Sequence, residues 1–145
     1  MWYAVLAVRL LLGFVFAFFG LNFYLKFMDM GTPNLTPAAS NFVSAIGPSG
    51  YMHAVKVFEV VGGILLLSGI LVPIGLVCLT PVIVNIFFYD VFLMGKPGLS
   101  FALLPMAIFL IWAYWPYFAS VFTLHAKPVV ARSQPQTAGA NTVRA

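Results

Sequence analysis

The sequence predicts an all-α, polytopic membrane protein: a bundle of four transmembrane helices with a short interfacial helix between the first and second. Three observations lead there. Of the 145 residues, 63% are hydrophobic and only 7% charged, against roughly 25% charged in a soluble domain. Mean hydropathy is +1.05. The apolar residues also gather into four runs, each near the about 20 residues a helix needs to cross a bilayer. Proline- and glycine-rich segments separate them. A water-soluble domain is excluded. The length leaves room for one membrane domain, residues 1–125, and a disordered basic tail, residues 126–145.

The first span runs from about Trp2 to Tyr24. It has neither the short apolar core nor the small-residue cleavage site of a signal peptide, so it reads as a retained helix. Thr36-Pro37 then pairs an N-cap hydroxyl with proline at the first helical position, which predicts a short interfacial helix from Pro37 to about Ile46. Gly47-Pro48 ends it. The second span is about Met52 to Val72, with a turn at Val72-Pro73-Ile74-Gly75. The third covers about Ile74 to Leu93, with Pro81 as a kink. After Met94-Gly95-Lys96-Pro97-Gly98, the fourth runs from about Leu99 to Thr123, with Pro105 and Pro116 as internal irregularities. Trp112, Tyr114, Trp115 and Tyr117 near its end suit an aromatic belt at a membrane interface.

Four spans put both termini on one side. The basic tail residues Lys127, Arg132 and Arg144 favour the cytoplasm for that side. The formal charge of +4 is scattered rather than gathered into a stripe, so nucleic acid is excluded as a partner. The single cysteine, Cys78, lies in an apolar run, and no Cys/His cluster offers zinc, iron–sulfur or dithiol chemistry. His53 and His125 fall at opposite membrane faces in this topology, which argues against a haem held between them. Neither a catalytic Ser/His/Asp set nor a nucleotide-binding fingerprint occurs.

The informative residues are polar ones inside the apolar runs. A charge within a bilayer costs on the order of 2.5–3.5 kcal/mol on insertion scales, so it normally faces a protein interior and finds a partner. Lys56 and Glu59 stand at helical spacing directly before Gly62-Gly63. Glu59 falls roughly 10 Å below the outer surface at 1.5 Å per residue. Asn22 and Lys26 end the first span on that side, and Asn85, Tyr89 and Asp90 reach the same level on the third. Arg9, Gly13, Ala17, Gly20 and Tyr24 form one stripe that should face the bundle and carry Arg9 inward. An Arg9–Glu59 pair, direct or bridged by water or Asn85, is one expectation. An ion pair that only fixes helix register is the plainer alternative. Asp90 lies about 140° from Asn85 at 100° per residue, so it is expected to snorkel outward.

This series of features resembles the DoxX family of small bacterial four-helix membrane proteins. The matching pieces are Arg9-Leu-Leu-Leu-Gly13, Phe19-Gly20-Leu21-Asn22, Lys56-x-x-Glu59-x-x-Gly62-Gly63, the turn at Pro73, and Pro81-Val-Ile-Val-Asn85-Ile86, over about residues 5 to 123. The resemblance implies Arg9, Glu59 and Asn85 as core site positions. It also implies a link to membrane redox chemistry, as a subunit near quinone-using or thiol-handling enzymes, or else an accessory or assembly role. Many relatives have histidine where this chain has Asp90. Relatives that handle thiols bring cysteines, which this chain lacks.

The function expected is that of a bacterial inner-membrane accessory subunit of a redox or quinone-associated system. A small apolar or amphiphilic molecule would sit in the outer half of the bundle, with Arg9, Asn22, Lys56, Glu59, Asn85, Tyr89 and Asp90 as candidate ligand-binding residues. Glu59 would exchange a proton or hydrogen-bond, Arg9 would balance its charge, Asn85 would orient the ligand and Lys56 would tune the mouth. These residues hold no cofactor covalently or through a metal, which leaves a diffusible quinone. The expected partners are the lipid bilayer, a membrane or extracytoplasmic redox protein, and a second copy in a homo-oligomer. The alternative is an assembly or scaffold factor that binds other membrane proteins, for which Gly62 and Gly69 would supply a small-residue face.

Overall fold

The computed structural model describes residues 1–29, 31 and 33–119. Among these the chain is all helix. It contains α1 (Trp2–Leu25), α2 (Pro37–Ile46), α3 (Tyr51–Ser68), α4 (Val72–Phe88), which continues as a π-helical stretch (Tyr89–Met94), α5 (Ser100–Ala113) and the single turn α6 (Trp115–Phe118). Trp2–Leu25, Tyr51–Ser68 and Val72–Met94 are each long and apolar enough to cross a membrane. α5, with 14 residues, rises about 21 Å and falls short of a full crossing by itself. The predicted tail, residues 126–145, lies outside the described residues, as does His125.

Helix α1 packs on α3 and α5, and α4 packs on the same two, which closes a four-helix ring. Leu12, Phe16, Leu66, Leu76, Leu79, Ile83, Leu103 and Leu110 fill its centre. Large apolar side chains such as Leu11, Phe14, Val61, Ile64, Val77 and Ile108 are exposed around the outside. An apolar surface of this extent belongs in lipid, where the backbone must satisfy its own hydrogen bonds and only helices or closed barrels suffice.

Without a hydrophobic drive between helices in lipid, close contact depends on small residues. α3 carries two in succession that serve different neighbours. A methyl group added to Gly63 would come within 2.5 Å of the Ala17 backbone nitrogen and 2.8 Å of the Gly13 carbonyl on α1. One added to Gly62 would come within 2.6 Å of Leu79 Cγ and 3.1 Å of the Gly75 carbonyl on α4. Gly20 in turn lies against Val60 and the Cβ of Glu59. The stripe of small residues on α1 therefore faces α3, as its spacing predicts.

The boundaries match the sequence for α1 and α2. Thr36 is the N-cap, its Oγ1 accepting from the Ala39 backbone N–H at 3.2 Å. The turn between α3 and α4 comes earlier than expected, at Gly69–Leu71 rather than Val72–Gly75. Gly69 adopts φ +74 and caps α3, which any side chain would strain. Pro73 enters the first turn of α4, where its missing N–H costs nothing. The fourth span is interrupted at the second of its two prolines, and its expected end at Thr123 lies outside the described residues. It breaks at Tyr114 and restarts at Trp115, because Pro116 cannot donate and would clash one turn back.

Gly63→Val should lower stability by about 1–3 kcal/mol through overpacking against α1. The lipid-facing control Val61→Ala should change it by under about 0.5 kcal/mol. Thermal unfolding in detergent micelles checks both values, and equal effects would contradict the packing.

Candidate functional site

Glu59 sits one turn before the glycine pair, where α3 is wedged between α1 and α4. It is only 3% exposed. Its partner is Lys56 on the same helix, whose Nζ donates to both carboxylate oxygens, at 2.9 and 2.7 Å. A side chain three residues away lies on the same helical face. The pair is thus made within one helix.

Arg9 is not part of it. α1 and α3 run antiparallel, with Gly13 opposite Gly63 and Gly20 opposite Val60. This register sends Arg9 to the far end of α3, where its guanidinium rests on Gly69. Ten residues separate Gly69 from Glu59, about 15 Å along the axis. The expected Arg9–Glu59 pair is therefore not formed. Arg9 instead places its charge at the C-terminal, negative end of the α3 dipole. Its Nε is buried without a hydrogen-bond partner among the described residues.

Two cavities meet on the Lys56–Glu59 pair. One, of about 510 Å³, lies between α1, α3 and α5 and is lined by Phe16, Phe19, Phe23, Asn22, Lys26 and Asp29, among others. The other, of about 710 Å³, opens between α2, α3 and α4, and its walls include Phe42, Val77, Pro81, Asn85 and Tyr89. Lys56, Glu59 and Ile86 line both. Such volumes fall within the usual range for small-molecule sites. The sequence did not single out the aromatic residues of α1 or Asp29, because a run of phenylalanines in lipid reads equally as packing.

The remaining candidates divide. Asn85 and Tyr89 share one wall of the larger cavity, as their four-residue spacing predicts. Asn22, 4% exposed, reaches the smaller cavity with its amide already engaged. It donates to the Met28 carbonyl at 3.0 Å and accepts from the Met28 N–H at 2.8 Å. Its main task is to fasten the chain leaving α1, where Lys26 takes a left-handed conformation. Asp90 does not snorkel outward. It is buried, accepts from the Ser100 hydroxyl and backbone N–H, and lies against Gly98. The direction 140° from Asn85 is the face that carries Leu79 and Ile83, both fully buried, so it turns into the bundle and not toward lipid. The start of α5 supplies donors suited to an anion. Asp90 therefore points away from both cavities and ties α4 to α5.

Among the described residues, no group of three or more His, Cys, Asp or Glu is placed to hold a metal ion. Cys78 is a free thiol on the wall of the larger cavity.

A ring of apolar helices with a buried ion pair between two cavities defines a multi-pass membrane protein with an internal polar site. The family model for DoxX matches residues 4–90, and the chain belongs to the DoxX family. That match covers α1 to α4 and every candidate residue named above. Neither the comparison with curated proteins nor that with solved structures finds a match.

Lys56→Met should destabilise the protein by about 3–5 kcal/mol, because Glu59 is left charged and unpaired. The double change Lys56→Met/Glu59→Leu should recover much of that loss. Arg9→Ala and Glu59→Gln should instead add to within about 0.5 kcal/mol, since the sites do not touch. Denaturant unfolding of the four variants and the double mutants in micelles reads both couplings.

Proposed function

We propose that this DoxX-family protein is an accessory subunit of a redox or quinone-associated system in a bacterial inner membrane, and that it binds a small amphiphilic molecule beside the Lys56–Glu59 pair. The observation that supports this most is the meeting of two cavities on that pair. A buried ion pair adds little net stability over well-packed apolar residues, so architecture alone is a weak reason for it. Two adjoining spaces with apolar and aromatic walls give it a ligand to act on. Glu59 accepts hydrogen bonds from the bound molecule, and Lys56 holds the carboxylate in place and offers its remaining proton.

The redox association rests on the family resemblance. Electrons would be carried by the diffusible ligand, with a quinone as the class considered, or by a partner protein. The assembly-factor alternative has lost the feature first considered for it. Gly62 is covered by Leu79, and Gly69 by Arg9, so neither offers an outward small-residue face.

Native mass spectrometry of protein gently extracted from its own membrane, with the Glu59→Gln variant alongside, tests the proposal. The parent should carry a small-molecule adduct that the variant loses. Equal occupancy in both would remove Glu59 from the site. A co-purifying protein with no adduct would favour the assembly role.

A further inference from the structure

The larger cavity is a cleft with a direction. α3 and α4 are pinned together where Gly62 meets Leu79 and Gly75, and the space opens from there toward α2. Along α4 its wall is two adjacent rows of residues four apart, Val77, Pro81, Asn85 and Tyr89 beside Cys78, Val82 and Ile86. The longer row is about 18 Å long at the helical rise. The far end of the cleft, at Val77 on the outer face and half-buried Cys78 beside it, is apolar. Its polar side chains, Asn85 and Tyr89 with Lys56 and Glu59, lie toward α2, where Phe42 packs on Tyr89 with ring centroids 5.9 Å apart. An amphiphile with a polar head and an apolar chain has the same polarity.

Two further observations point to a ligand. Neither the Asn85 amide nor the Tyr89 hydroxyl makes a side-chain hydrogen bond to another described residue, whereas Lys56 and Glu59 across the cleft are bonded to each other. The Asn85 side chain is exposed on the open side of the cleft, where an amide facing hydrocarbon without a partner is costly, on the order of 2–7 kcal/mol depending on the reference state. A carbonyl or hydroxyl on a bound molecule removes that penalty. The charges of the cleft are also already matched, because Lys56 donates to both oxygens of Glu59. A charged head would have to break that pair or remain uncompensated.

We infer that the cleft between α3 and α4 binds one long-chain, uncharged amphiphile taken up sideways from the surrounding bilayer. Asn85 and Tyr89 hold its polar head, and the chain lies along α4 toward Cys78. This deepens the pocket proposed above and rests on it. Asn85 and Tyr89 select a hydrogen-bonding head, and the matched ion pair selects against an anionic one.

The test is photolabelling of the full chain in lipid nanodiscs with a long-chain monoacylglycerol that carries a diazirine at mid-chain, mapped by peptide mass spectrometry. Saturable label is expected in the α4 segment from Val77 to Val82. Excess unlabelled monoacylglycerol should compete it, and a phosphate monoester of the same chain should compete far less. Asn85→Leu should weaken labelling about fivefold, the loss of one hydrogen bond, and Asn85→Gln should restore part of it. Equal competition by the phosphate ester would overturn the uncharged head. Label no denser on Val77–Val82 than on lipid-facing Leu11 and Phe14 would overturn the cleft. Saturable label confined to Phe16, Phe19 and Phe23 would overturn the cleft while leaving a pocket at Glu59. With no saturable label at either cavity, both proposals fall.

Discussion

The close approach at Gly62 and Gly63 fixes the rest of the molecule. Two successive residues of one helix point about 100° apart, so α3 can meet α1 through Gly63 and α4 through Gly62 at almost the same height. Backbones in this contact leave no room for a side chain. The three helices are pinned at one level, and the space between them widens only away from it. Glu59, three residues before the pair, falls where the widening starts. Its burial, its separation from lipid and its place between two cavities follow from that contact.

The charge arrangement follows from the same register. With Gly13 opposite Gly63, Arg9 is carried past Glu59 to the capped end of α3. The two strongest charges of the bundle interior are thus kept apart. Each is balanced locally, Glu59 by Lys56 within its own helix and Arg9 by the end of the α3 dipole. The buried Asp90 is balanced in a third way, by the hydroxyl and N–H of Ser100 at the start of α5. Three different local solutions in one small bundle mean that no charge needs a long-range partner.

Much of this was legible in the sequence. Composition and run length predict the helical membrane class, and Thr36-Pro37 marks the start of α2 to the residue. The Lys56/Glu59 spacing and the following glycines mark the level of the site. What could not be read depends on relations between helices. An Arg9–Glu59 pair depends on how α1 and α3 slide past each other, and two long side chains do not span the offset that the antiparallel register sets between Arg9 at Gly69 and Glu59. Asp90 is misdirected because the face turned away from Asn85 reads as lipid-facing, whereas α4 packs on both α3 and α5 and buries that face, with Leu79 and Ile83 on it. The cavities themselves are spaces between elements, and no single segment encodes them.

The central claim is that Glu59 is paired with Lys56 inside the membrane, and one labelling scheme tests it directly. Glu59 is the only glutamate in the chain, so carboxyl-labelled glutamate introduces a single spin at a known position. Solid-state NMR of membrane-embedded protein, with lysine and arginine side-chain nitrogens also labelled, then reads the contact as a dipolar coupling. The account predicts strong coupling to one lysine, lost in Lys56→Met. Coupling to arginine nitrogens instead, or to no nitrogen at all, would contradict it.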